Sequence, residues 1–198
     1  MRDSRVRAKI KRDRKVNTFA ELLHASTVLL ENAKRKEDGC FYQTMGAILM
    51  SAFAFEAYLN HIGAALFRFW PEMERLPWRA KLKIVLCHVN LEVDHGSGPY
   101  QTLSKLFEFR NAVAHGRSEV LDPPERVETG DDREELRRRK PLTQWEQDCT
   151  IDFADRAHND TEAMIRQIHA KAGRDEAELR RSGHSYAMRA VEELDGAP

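Results

Sequence analysis

The chain has 198 residues, enough for one domain with a real core plus peripheral segments, and its 32 basic and 32 acidic side chains cancel to a formal net charge of zero. Net charge therefore excludes nothing about nucleic acid, and an electrostatic signal has to come from local segregation of charge. Three cysteines, Cys40, Cys87 and Cys149, are far apart and odd in number, which argues against a disulfide framework and for a reduced, cytoplasmic chain.

The stretch MRDSRVRAKIKRDRK has no apolar signal core, which predicts a chain that is not secreted. Residues 2 to 15 hold eight basic and two acidic side chains. A basic helix start opposes the helix dipole, so residues 1–15 are expected to form an arm or a frayed turn. Arg12, Arg14 and Lys15 in it are candidates for contact with RNA backbone, and a solvated tail fits the same residues. From Val16 to about Lys36, Val16, Phe19, Leu22, Leu23, Leu30 and Ala33 recur at helical spacing, and Asp38-Gly39 stops the helix. A second, long helix runs from Phe41 to about Trp70, where Pro71 ends it. Its segment AILMSAFAFEAYLNHIGAALF is long enough to cross a bilayer, but Glu56, Asn60 and His61 near its centre predict a buried helix of a non-membrane protein.

Pro77 opens a shorter helix, PWRAKLKIVLCHVNL, and after the loop EVDHGSGP a further helix opens at Pro99 and stops at Gly116. Residues 118–140 are expected to be a charged, mobile loop, with acids from Glu119 to Glu135 followed by Arg137, Arg138, Arg139 and Lys140. Thr143, with Glu146 three residues on, reads as a capping box that starts a helix reaching about Ala172. After Gly173, a polar amphipathic helix is expected from about Asp175 to Leu194. No strand alternation of any length and no repeat is evident. The expected class is all-α, an up-and-down bundle of four main helices over residues 16–172, with a basic N-terminal arm and an extra peripheral helix in 173–198.

The stretch FEFRNAVAHGR, residues 107–117, raises the functional question. Leu103, Leu106, Phe107, Arg110, Val113 and Ala114 form one apolar stripe with Arg110 at its centre. A guanidinium keeps its proton when buried, so it must pair with an anion, reach water or line a polar cleft. Either a buried ion pair or an anion site satisfies that need. Asn111 and His115 are four residues apart and project together beside the stripe. His115 stands at the helix carboxyl end, where the dipole favours a cation, a setting suited either to proton transfer or to plain capping. Arg110 and His115 aim at adjoining surfaces, so two copies of the helix about a two-fold axis would be needed to gather both residue types at one point. Between Phe41 and Phe67 the only formally charged residue is Glu56, with Asn60 one turn on. Arg110 is its expected partner, with Glu56 and Asn60 supporting the guanidinium from behind.

Arg110-Asn111-x-x-x-His115 resembles the R-x4-6-H motif of the HEPN superfamily, whose members are small helical bundles, many of them metal-independent ribonucleases of toxin–antitoxin, defence and RNA-processing systems. The Asn after Arg, the motif's place near a helix end and the preceding FEAYLN helix with its embedded acid carry the likeness over about residues 16–172. Arg117 stands where a subgroup of the family has Tyr in R-x4-H-x-Y, which separates this chain from that subgroup. The resemblance implies a homodimer that cleaves RNA to 2′,3′-cyclic phosphate and 5′-hydroxyl ends. His115 would move a proton, Arg110 would meet phosphate charge through its planar fork, Asn111 would orient the phosphate or the imidazole, and Arg117 would add to RNA binding. No cofactor or metal is expected: Cys87, His88 and His95 lack a fourth ligand at a useful spacing, and no Gly-rich phosphate loop is present. RNA, a second copy of the chain, and an antitoxin or defence-system protein are the expected partners, with no membrane. The rival expectation is a non-catalytic HEPN-like module that binds a partner or a nucleotide, in which Arg110 and Glu56 simply hold the bundle together.

Overall fold

The structure, a computed structural model, describes residues 8–35, 37–94, 96, 98–125, 127–130, 132–179 and 182–190. It is mostly helical. In chain order the elements are β1 (Ala8–Val16), α1 (Thr18–Lys34), α2 (Cys40–Leu66), α3 (Trp70–Met73), α4 (Trp78–His88), α5 (Gly98–Ala114), α6 (Arg133–Arg138), α7 (Gln144–Asp148), α8 (Ile151–Lys171), a single 3-10 turn at Glu176–Leu179, and β2 (Ser182–Ala190).

The long helix α2 is the axis of the molecule. Ala47, Ile48, Ala52, Ala54, Phe55, Tyr58, Leu59 and Ile62 are completely buried, more than one face of a helix can hold, because α1, α4, α5 and α8 all pack against it. α1 contributes Phe19, Ala20, Leu30 and Ala33, and α8 contributes Phe153, Ala154, Ala157, Met164, Ile165 and Ile168. Truncating a fully enclosed ring such as Phe55 to Ala would cost about 3–5 kcal/mol. No helix among the described residues is long and apolar enough to cross a membrane.

Several boundaries differ from the sequence expectation for identifiable reasons. α2 ends at Leu66, before Pro71. Phe67 turns to extended backbone and the chain doubles back, so that the Trp70 indole lies against Gly63, where a Cβ would fall 2.1 Å from the ring. Burial of Trp70 and the absence of a side chain at Gly63 make this return possible. The segment after Thr143 is two helices. Its capping box is present, with Glu146 N donating to Thr143 Oγ1 at 3.2 Å and Thr143 N donating to Glu146 Oε2 at 2.9 Å. The chain breaks at Cys149 and starts again at Thr150, whose hydroxyl accepts from Phe153 N. Cys149 is buried at that break, its thiol facing the Phe41 carbonyl, and burial pushes its pKa up to about 11. Residues 118–140 are not wholly irregular, since α6 lies within them.

The two terminal expectations are corrected. Residues 8–16 form a strand and not the expected arm or frayed turn, and the helix expected from Asp175 to Leu194 gives way to the 3-10 turn and β2. β1 and β2 pair antiparallel, from Ala8 opposite Ala190 to Val16 opposite Ser182. Ser182, Gly183 and Ser185 weaken a helix there, and the segment gains a backbone partner that local periodicity does not reveal. Residues 1–7 of the expected arm and 191–194 of the expected helix lie outside the described residues.

Candidate functional site

An aromatic layer sets the geometry around Arg110. Trp78 at the start of α4 stacks on Phe107 of α5, centroids 4.4 Å apart and nearly parallel, and Phe55 of α2 meets both edge-on at 6.4 and 6.3 Å. One turn further along α4 and α5, and next along α2, come Lys81, Arg110 and Glu56. The three helices thus converge a charged layer upon one carboxylate. Arg110 Nη2 lies 2.8 Å from Glu56 Oε2, and Lys81 Nζ lies 3.5 Å from Glu56 Oε1. Lys81 Nζ also donates to Asn60 Oδ1 at 3.0 Å. The Arg110 guanidinium sits over the Phe107 ring at 5.2 Å.

These groups are not equally enclosed. The side chain of Lys81 is 1% exposed, that of Arg110 20% and that of Glu56 31%. The cluster therefore closes at the lysine and opens to solvent at Glu56 and the outer edge of Arg110. Arg110 Nε is buried without a hydrogen-bond partner among the described residues, so the guanidinium is not saturated by Glu56 alone.

The expected pairing of Glu56 with Arg110 is present, and Asn60 supports the network through Lys81. The expected centring of Arg110 on a single stripe is not. α5 buries Leu103, Leu106 and Phe107 toward α2 and α4, and on another side Phe109 meets Trp145 and Phe153, while Ala114 is exposed. α5 lies between neighbours on two sides, so its buried surface is wider than the stripe, and Arg110 falls at its margin. Asn111 and His115 are both exposed on the solvent side of α5. Asn111 lines a recess of about 260 Å³ with Pro77, Trp78, Arg79, Ser104, Phe107 and Glu108, where Arg79 and Glu108 form an exposed ion pair at 3.8 Å. His115 closes the last helical turn by donating its backbone N–H to Asn111 O at 2.9 Å. Gly116 follows without a positive φ, but a Cβ there would sit 3.0 Å from the Ala112 carbonyl, so close approach, not handedness, favours glycine. Arg117 is exposed beyond it, and Arg12, Arg14 and Lys15 are exposed on β1.

Sequence reasoning does not single out Lys81 or Arg79. Lys81 occupies the inner face of α4 with Trp78, Leu82 and Val85, and a lysine in that pattern, in a chain whose longest apolar helix holds a lone acid, is a legible signal. Two further histidines lie in the core. His158 and His169 are buried on α8. His158 Nδ1 and Ser26 Oγ are hydrogen-bonded at 3.2 Å, where Ser26 Oγ donates to Ala47 O and also meets Ser51 Oγ, and burial holds His158 below the ordinary histidine range. His169 Nε2 donates to Asp175 O at 2.9 Å and Nδ1 faces the buried Tyr58 hydroxyl. Both ties join α8 to its neighbours and are structural. No group of three or more metal-ligating side chains occurs among the described residues. No protein-family model matches this chain, nor does a curated protein or a solved structure.

Proposed function

We propose that the chain is a HEPN-type, metal-independent endoribonuclease, an up-and-down four-helix module that works as a homodimer with Arg110, Asn111 and His115 at its site. The observation that carries this reading is the placement of a partly open arginine, fixed by Glu56, beside an exposed Asn111 and His115 on one helix end. RNA supplies its own nucleophile, the 2′-hydroxyl. The reaction needs an acceptor for that proton, a donor for the 5′-oxygen and cations for phosphate charge. The exposed imidazole of His115 serves as acceptor or donor. Arg110 meets the phosphate through donors that Glu56 leaves free, and Asn111 orients it. A second copy about a two-fold axis supplies the other proton-transfer group. The exposed stripe of α5, which carries Asn111 and His115, is the face on which two such helices can meet. A toxin or defence role, with a neutralising partner, follows from the same family likeness.

A second reading is favoured by one specific observation, the enclosure of Lys81 at 1% exposure against Glu56. With two cations on one carboxylate, the network can serve the bundle alone, and the chain is then a non-catalytic binding module. Incubating labelled RNA with the purified protein and a chelator separates the two. The ribonuclease gives 2′,3′-cyclic phosphate ends, and His115→Ala abolishes them without shifting the melting temperature. Intact RNA with the unaltered chain at high protein concentration leaves only the binding module.

A further inference from the structure

β1 buries little. Residues 9–16 are all exposed, Ile10 and Val16 included at 41% and 47%. A two-stranded ribbon by itself is marginal in water, so packing of β1 does not account for its sequence. The base of the ribbon is nevertheless fixed. Asn17, at the junction with α1, is buried and donates through Nδ2 to Glu178 O at 2.9 Å.

β1 reads AKIKRDRKV, with Lys9, Lys11, Arg12, Arg14 and Lys15 against the single acid Asp13. Strand alternation sets Lys9, Lys11, Asp13 and Lys15 on one face and Ile10, Arg12 and Arg14 on the other. The register places Lys9 opposite Arg189, Lys11 opposite Ala187, Arg12 opposite Tyr186 and Arg14 opposite His184, and the sequence of β2 contains no acidic residue. Strand pairing therefore gives these cations no acidic partner position. Among the described residues Arg14 reaches a carboxylate of α1, Glu21, at 3.4 Å, while the Glu178 carboxyl, held low mainly by its hydrogen bond from Arg174, has Lys15 close enough to help. Meanwhile Glu119, Asp122, Glu125 and Glu128 are gathered in the connection between α5 and α6. A chain of zero net charge thus carries a strongly positive extension. Along one face of a strand, positions recur about every 6.8 Å, close to the step between successive phosphates of an extended nucleic-acid strand. An acidic polypeptide matches this spacing only where it is extended with an acid at every second position, whereas every phosphate of a nucleic-acid strand is charged.

We propose that the β1–β2 ribbon is a binding element for single-stranded RNA, gripping backbone phosphates through Lys9, Lys11 and Lys15, with the position between Lys11 and Lys15 taken by Asp13 and with Arg12 on the opposite face adding charge. The choice of RNA over DNA rests on the proposed function, whereas the phosphate grip does not. The ribbon binds without regard to base sequence, because phosphate contacts position a strand and carry no sequence information. It would hold a substrate while the α5 end does chemistry.

The test uses the full chain with His115→Ala, so that RNA is not consumed, and fluorescence anisotropy with a short, unstructured, labelled RNA. Combining Lys9→Gln, Lys11→Gln and Lys15→Gln should weaken binding at least about tenfold and flatten the log–log salt dependence by about 2, three phosphates at about 0.7 each. Asp13→Lys should tighten binding. The circular dichroism spectrum and melting temperature should not change, since these side chains are exposed. Binding by the triple variant equal to the parent's, or no RNA binding by the parent, overturns the proposal. So does displacement of RNA by polyglutamate at matched charge, which would make an acidic protein the partner, or much tighter binding of single-stranded DNA. If the unaltered chain leaves RNA uncut while the triple variant loses binding, the ribonuclease reading falls and the ribbon stands. Cleavage that persists together with ribbon-independent binding removes the ribbon and leaves the ribonuclease.

Discussion

Arg110 and His115 belong to one short motif but live in different surroundings. On the inner side, Arg110 lies at the margin of the core, bound to a carboxylate that also takes an almost fully enclosed lysine and, through that lysine, Asn60. On the outer side, Asn111 and His115 stand in solvent, with no part in the core. The inner half resists change because removing Glu56 leaves two cations, one of them almost fully enclosed, without their shared carboxylate. The outer half is free to change as far as the fold is concerned. Stability and the proposed chemistry are thus separable within one short stretch of α5, with Arg110 as the joint.

The largest effect should come from the outer half. His115→Ala should lower RNA cleavage by roughly 10²- to 10⁴-fold, while chemical denaturation moves by less than about 0.5 kcal/mol. Cleavage that survives the substitution would erase the proposed division of labour. Next, Glu56→Ala should destabilise the fold by about 3 kcal/mol, the low end for breaking a buried pair because Glu56 keeps contact with water. A urea titration reads this directly, and a shift below about 1 kcal/mol would mean that Lys81 and Arg110 find water without it.

A smaller effect concerns pH. His158 and His61 are both held below the ordinary histidine value of 6.5, chiefly by burial. The folded chain then binds fewer protons than the unfolded one, so stability is fully present above about 6.5 and falls as pH drops through that value. It levels off below the lowered folded values. Denaturation midpoints should therefore decline from about pH 7 toward about pH 5, and His158→Gln should make that decline shallower. A flat profile would show that these imidazoles are open to water. The smallest expected change sharpens the role of the joint itself. Arg110→Lys keeps the charge against Glu56 but loses the planar fork, so stability should fall by less than about 1 kcal/mol while cleavage drops about tenfold. Equal losses in both would make Arg110 a purely structural residue.

The contrast also marks how far the site is legible in the sequence. Glu56 and Arg110 can be paired from it because each interrupts an apolar pattern, and a buried charge demands a partner. Asn111 and His115 can be placed together because four residues make about one helical turn. Lys81 is legible only through its spacing, three residues after Trp78 and one before Leu82, and is easily lost among the other basic residues of α4. Only the stacking of Trp78 on Phe107 turns it inward. His158 and His169 are hidden for a similar reason, since α8 is polar enough overall to conceal imidazoles on its inner face.

The positions of the main helices, the break between α1 and α2 around Gly39, the stop near Gly116, the Thr143 cap and the lone acid of α2 are decided locally, because helical hydrogen bonds and side-chain periodicity span only a few residues. The return of Trp70 onto Gly63, the lysine beside Glu56 and the pairing of β1 with β2 depend on contacts that close only as the helices pack. A strand acquires its partner only when the fold closes, so the basic segment at one end and the small, polar segment at the other give no sign of belonging to a single ribbon.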